Sequence, residues 1–189
     1  MKRVLLFSAL FLAGVITANA QEINKPQTSA NVGMTPVQKG NWMIGGSIGN
    51  IGYSFEAESF GISLSPSAGY FVSNGIAIGL QPTVSLQTVK DGENDWGYGI
   101  SPYIRYFFPE GSSSTGRFFA HGNVGIAGKS GQSGASLDLG AKLGYAHFVT
   151  QNVALELAAG YRYNKAPSAE KLSGLGVELG FQIYLPGQR

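Results

Sequence analysis

The apolar residues of this chain recur at every second position from residue 40 to residue 185, in segments that are long for β-strands. A period of two predicts strands with one apolar face and one small or polar face. Ordinary strands average about five or six residues, whereas a tilted strand that crosses a membrane needs about 9–11. The alternation therefore predicts an all-β fold, an eight-stranded antiparallel up-and-down transmembrane β-barrel. The predicted strands are residues 42–50, 60–72, 75–88, 96–108, 117–127, 135–149, 152–164 and 173–185.

The connections between these segments alternate in length. Residues 73–75 and 150–152 are tight-turn sequences at hairpin spacing. Short turns on one side and longer loops on the other are typical of outer-membrane barrels, whose termini lie in the periplasm. The connection at 109–116 is long for a periplasmic turn, and its Gly and Ser residues indicate flexibility. The longer, more polar segments are 53–59, 90–95, 128–134 and 164–172, which follow the first, third, fifth and seventh strands.

Two kinds of barrel fit this alternation, a membrane barrel with its apolar face toward lipid and a soluble barrel with that face inside. Only 13% of the residues are charged, against about 25% in an ordinary globular protein. The apolar side chains are too many and too large for the interior of eight strands, whereas the Gly, Ser and Ala of the other face suit a narrow lumen. The membrane barrel is therefore favoured. Pro66, Pro82 and Pro102 fall inside predicted strands, where each removes a hydrogen-bond donor, and bulges are expected there.

An aromatic residue recurs once per predicted hairpin, near the end of each even-numbered strand. The first two copies have the fuller motif Ser-Pro-x-x-x-Tyr-Phe, at 65–71 and 101–107. All four rings fall on the apolar face and predict an aromatic girdle at the periplasmic interface. These residues are Tyr70, Tyr106, Tyr145 and Phe181, and the opposite girdle is predicted from Trp96, Tyr98, Tyr161 and Tyr163.

Within the bodies of the strands, the charged residues fall on the face of small residues. They are three bases and three acids, namely Arg105, Lys142, Arg162, Asp138, Glu156 and Glu178. Because an unpaired buried charge is strongly destabilising, these side chains are expected to pair. We expect Lys142 and Glu178 to flank Glu156, with Arg105 reaching the group from across the lumen. The hypothesis is a salt-bridge plug that closes the barrel.

The N-terminus has the order of a secretory signal peptide. Lys2 and Arg3 precede a short apolar stretch, which is followed by the small residues Ala18 and Ala20 of a cleavage site. We predict a signal peptide at 1–20, with the mature chain beginning at Gln21. Residues 21–39 are predicted to be a polar, mobile periplasmic tail, residues 40–185 the barrel, and residues 186–189 a C-terminal tail.

The sequence offers little catalytic or metal-binding chemistry. There is no Cys, and the two histidines are separated by face: His121 is expected inside the lumen and His147 on the apolar face near the periplasm. We predict no catalytic residue, no metal site and no cofactor. A net charge of +2 does not indicate a nucleic-acid partner.

Residues 40–185 resemble the small outer-membrane β-barrel domain family, which is porin-like and of the OmpA type. The resemblance rests on the Ser-Pro-x-x-x-Tyr-Phe hairpins and on the C-terminal stretch 178–185. That stretch is similar to the signal that the barrel-assembly machinery recognises, and the positions that match it are Glu178, Gly180, Ile183 and Leu185. Leu185 departs from the usual aromatic ending. The resemblance implies an outer-membrane location in a Gram-negative bacterium and contact with the assembly machinery.

Three functions remain open at this point. The first is a non-enzymatic envelope scaffold that presents surface loops above a plugged lumen. The second is a narrow porin-like channel for small solutes or ions, and the third is a lipid-modifying enzyme. We expect a monomer in contact with outer-membrane lipids, and no motif identifies an extracellular partner.

Overall fold

The computed structural model describes residues 29–54, 59–89, 94–108, 113–131, 134–165 and 172–187. The strands form one closed sheet in chain order, each antiparallel to its neighbours, and the eighth strand pairs with the first. The predicted fold class, an eight-stranded up-and-down barrel, is confirmed. The strands are β1 (Trp42–Ser54), β2 (Ser59–Ser73), β3 (Ile76–Val89), β4 (Asp95–Phe107), β5 (Gly116–Lys129), β6 (Ser136–Phe148), β7 (Val153–Lys165) and β8 (Leu172–Leu185).

Among the described residues, no helix is long and apolar enough to cross a membrane.

The strand bounds agree with the predicted ones to within two residues except at the end of β1. β1 runs to Ser54 instead of ending at residue 50, which leaves a first loop shorter than the one predicted at 53–59. A register shift between Gly49 and Gly52 against β2 is the reason. The shift breaks the period of two, so the alternation in the sequence stops before the strand does.

The apolar face of the sheet is the outer surface of the barrel. Leu155 and Leu157 are 52% and 55% exposed, and Leu179 is 61% exposed, whereas Ala154 and Ala158 on the inner face are buried. A soluble barrel would show the reverse arrangement. The predicted outward orientation of the apolar face is therefore confirmed.

The prolines do not cause the predicted bulges. The β2–β3 register is the same at Leu64↔Val84 and at Ala68↔Leu80, on either side of Pro66 and Pro82. Pro66 still pairs with β1 and Pro82 with β4, so each missing N–H lies on the side of the β2–β3 interface. The two prolines face each other there and share one gap in the ladder. Pro102 is accommodated in a similar way, by a gap opposite β5 without a change of register.

The seam that closes the barrel is shorter than the strands that form it. β1 and β8 pair from Trp42↔Leu185 to Gly49↔Glu178, and no further pairing between them occurs in the described part of the chain. These pairs lie at the end that carries the β2–β3 and β6–β7 turns, which we call the turn end. The opposite end is the loop end.

The segment 29–41, which we call the strap, lies across the turn end. It contains a short 3-10 helix, Thr35–Val37, with a glycine of positive φ on either side, Gly33 (52°) and Gly40 (94°). Such angles favour glycine because it lacks a Cβ. Of the predicted mobile tail, residues 21–28 lie outside the described residues, and the described part is packed on the barrel. Residues 29–39 are hydrogen-bonded to the barrel, and Val37 is fully buried.

Candidate functional site: the barrel interior

A layer of aromatic side chains fills the lumen at the turn end. Each ring comes from an inward-facing position close to that end of its strand and is at most 1% exposed. Centroids of contacting rings are 5.1–6.3 Å apart. Because the interior of eight strands is just wide enough for side chains, rings at this spacing close it. This aromatic layer consists of Phe71, Phe107, Phe119, Phe148 and Tyr184.

The sequence analysis missed the aromatic layer, although a signal was present. Phe71 directly follows Tyr70, and Phe107 directly follows Tyr106, in the Tyr-Phe ending of the repeated motif. Neighbouring residues of a strand point to opposite faces, so a doublet at a strand end places one ring outside and one inside. The sequence analysis assigned only the outward rings, Tyr70 and Tyr106, to a structural role.

A buried ion pair lies directly above the aromatic layer. Nη1 of Arg105 is 2.8 Å and 2.9 Å from the two carboxylate oxygens of Glu156, and both side chains are 4% exposed. Nε of Arg105 donates to Nδ1 of His121 at 3.3 Å, and the guanidinium carbon lies 4.3 Å from the ring centre of Phe119. The Tyr184 hydroxyl donates to Glu156 at 3.4 Å. The pair is thus held by hydrogen bonds and a cation–π contact in a closed setting.

The second pair joins Lys142 to Glu178, with Nζ 2.5 Å from Oε2. The Ser47 hydroxyl donates to the same carboxylate oxygen at 3.1 Å. The sequence placed Lys142 and Glu178 on either side of Glu156. In the structure they bind each other, and Glu156 binds Arg105 on the other side of the lumen.

Two further pairs lie toward the loop end. Arg162 and Asp138 form a bidentate ion pair, in which Nε donates to Oδ1 at 2.8 Å and Nη2 donates to Oδ2 at 3.2 Å. Lys129 and Asp95 form an exposed pair at 2.8 Å that the sequence analysis did not include. A cavity of about 60 Å³ lies on one side of the Arg162–Asp138 pair, and an open cavity of about 490 Å³, the vestibule, lies on the other. The lumen is therefore hollow at the loop end and filled at the turn end.

Arg117 is a buried cation at the turn end. It is bound by backbone carbonyls, with Nη1 donating to Ser113 and Gly116 at 3.0 Å and 3.2 Å and Nη2 donating to Gly33 of the strap. No carboxylate of the described residues pairs with it. Arg117 therefore attaches the strap to β5.

The histidines lie on the predicted faces. His121 is buried in the lumen and stacks on Tyr103 with centroids 4.8 Å apart. His147 lies on the outer wall, and its Nε2 is 3.0 Å from the Ser29 hydroxyl at the start of the strap. Within the described ranges, no group of three or more His, Asp or Glu side chains is placed to hold a metal ion.

The aromatic residues predicted as the periplasmic girdle lie on the outer wall at the turn end. Tyr70 packs against Trp42 with centroids 5.1 Å apart, and Tyr145 packs against Phe118 at 4.9 Å. Tyr106 and Phe181 are exposed there as well.

The residues matched to the assembly signal lie on both faces of β8. Ile183 and Leu185 point outward, while Gly180 faces the lumen beside Glu156. The predicted cleavage residues Ala18, Ala20 and Gln21 lie outside the described residues.

Two solved structures are similar in fold to this chain, a bacterial surface protein and a bacterial outer-membrane protein. Neisserial surface protein A has a TM-score of 0.53 and 22% identity, over 76% of this chain and 94% of that chain. The outer membrane protein OprG from Pseudomonas aeruginosa has a TM-score of 0.50 and 12% identity, over 79% of this chain and 98% of that one. No family model matches the sequence, and no curated protein matches it either. At these identities the likeness shows the fold.

The outward apolar wall, the lumen of small and charged residues and the eight-stranded closure define the class of this protein. It has the fold of a small outer-membrane β-barrel, and an outer-membrane location agrees with its apolar outer surface.

Proposed function

We propose that this protein is a non-enzymatic outer-membrane scaffold with a closed lumen that holds its loop-end connections at the cell surface. The observation that carries the proposal is the aromatic layer beneath the Arg105–Glu156 pair, since its rings come from five of the strands and both layers are buried. A hydrated ion would have to displace packed rings and a paired charge in order to pass. Both steps are costly in a low-dielectric interior.

The second candidate is a narrow channel, and the vestibule favours it. This open cavity of about 490 Å³ is lined by glycines, by charged side chains such as Asp138, and by hydroxyl and amide side chains such as Thr83 and Asn164. An entrance of this size would admit small solutes if the layers below it could move apart. In a closed lumen the aromatic layer and the Arg105–Glu156 pair stay in place.

Bilayer recordings of the refolded protein test the proposal. The wild type should show no steady conductance. The change Lys142→Ala with Glu156→Ala breaks two lumen pairs and should raise leakage, and addition of Phe107→Ala should raise it further because the aromatic layer is then incomplete. The matched control is Asp95→Ala with Lys129→Ala. It removes an exposed charge pair at the loop end, and its conductance should equal that of the wild type.

Each variant is first checked for the heat-modifiable gel mobility of a folded barrel. Well-resolved, ion-selective openings of the unmodified protein would overturn the closed-lumen proposal and establish the channel. Leakage in the loop-end control equal to that of the lumen variants would also contradict it.

A further inference from the structure

The strap contacts parts of the barrel that are far apart in the sequence. The amide of Ala30 donates to Phe148 at the end of β6, and the amide of Val32 donates to Ser114 in the β4–β5 connection. Further along, Val37 accepts from Gly75 in the β2–β3 turn at 2.8 Å. These partners come together at one mouth only when the barrel has closed.

The strap also places apolar side chains over the aromatic layer. Val37 is 0% exposed, Val32 is 5% exposed and Ala30 is 8% exposed, and all three belong to the same buried cluster as the rings. Met34, between them in the sequence, is 36% exposed. The strap therefore has one face packed on the barrel and one face turned to solvent.

The end of the strap ties together the two strands that close the barrel. The side-chain amide of Asn41 makes hydrogen bonds through both of its polar atoms. Nδ2 donates to the carbonyls of Thr35 and Pro36, and Oδ1 accepts from the backbone N–H of Gly187 at 3.2 Å. Asn41 precedes β1, and Gly187 follows β8. A Cβ at Gly187 would overlap the carbonyl oxygen of Gly40, so the two chain segments approach as closely as glycine allows.

We propose that the strap is a latch, a conformational device separate from the sheet, which seals the turn-end mouth and fastens the β1–β8 seam after the barrel has closed. Docking of the strap should depend on Val37, because this side chain is 0% exposed and belongs to the same buried cluster as the aromatic layer. A charge at Val37 would have to enter the aromatic layer unpaired, so it should release the latch while the strands stay paired.

Single-cysteine labelling tests the latch, and the chain offers a clean background because it contains no Cys. In the folded protein, Val32→Cys should react with a membrane-impermeant maleimide at least about tenfold more slowly than Met34→Cys, a protection that corresponds to about 1.4 kcal/mol. In the Val32→Cys background, addition of Val37→Glu should bring the reaction to the rate of the exposed position. The matched control Met34→Glu adds the same charge to the solvent side of the strap and should leave Val32→Cys protected.

Heat-modifiable gel mobility shows that the barrel itself remains folded, and Val37→Ser replaces Val37→Glu if the charged variant fails to fold. Rapid labelling of Val32→Cys without a second change would overturn the latch, as would continued protection in the released variants. The thiol readout does not depend on conductance. The latch and the closed-lumen proposal can therefore fail independently.

Discussion

Replacement of Glu156 by leucine should be among the most destabilising changes in the lumen. The substitution leaves the guanidinium of Arg105, whose side chain is 4% exposed, with the His121 ring and the face of Phe119 as its neighbours and without a carboxylate. Breaking a buried pair in this way costs about 3–5 kcal/mol, because an uncompensated charge stays buried. Asp95→Leu removes an acid from a pair whose side chains are 41% and 37% exposed, and it should cost about 0–1 kcal/mol.

The assay is equilibrium unfolding in urea, with the protein in detergent micelles or liposomes. Trp42 and Trp96 lie on the outer surface with 48% and 52% exposure, so their fluorescence reports the transfer from lipid or detergent to water. The double change Arg105→Met with Glu156→Leu completes the test. It removes both charges, and replacing a buried pair by apolar side chains of similar volume is often close to neutral. The double variant should therefore be more stable than Glu156→Leu alone. If Glu156→Leu costs no more than Asp95→Leu, the pair is not buried as described and the reasoning fails.

Two further predictions concern the outer wall and the seam. Leu157→Arg places a charge on the lipid-facing wall four residues inside β7 and should lower the free energy of unfolding by up to about 2–4 kcal/mol, whereas Val153→Arg, at the turn-end start of β7, should cost about 0–1 kcal/mol. Equal unfolding midpoints for the two variants would contradict this placement of Leu157. Deletion of residues 180–185 removes most of the β8 positions that pair with β1 and leaves their backbone partners unsatisfied in lipid, so the chain should be exported but not inserted. Normal recovery of the truncated chain in outer-membrane fractions would contradict the prediction.

The sequence was sufficient for the fold and, outside the irregular end of β1, for the inward or outward direction of the strand residues, because both depend on a local period of two. It was not sufficient for contacts across the lumen. Arg105 on β4 and Glu156 on β7 belong to strands that are not neighbours, and their meeting depends on strand tilt and stagger, which the alternation does not encode. For Lys142 and Glu178 the sequence indicated a similar depth in the lumen, but it predicted Glu156 as the residue between them. In the structure Lys142 and Glu178 bind each other.

The ordered conformation of the strap was not predictable from the sequence for a different reason. Its buried residues, Ala30, Val32, Pro36 and Val37, have no regular spacing, and polar residues and Gly stand between them. Such a composition is typical of an unstructured tail. Its order comes from partners that the barrel supplies from distant parts of the chain, and a local pattern cannot reveal them.

The facing prolines of β2 and β3 have a consequence for how this hairpin finds its pairing. A slip of two residues would keep every apolar side chain on the outer wall, so the alternation alone does not distinguish the native register from its even-numbered neighbours. In the native register Pro66 and Pro82 lie opposite each other, and their missing donors fall in a single gap. In a slipped hairpin the same two donors would be missing, but at two separate rungs, so the ladder would be interrupted twice. The native register is therefore the one that confines both prolines to a single interruption and leaves the rest of the β2–β3 ladder continuous.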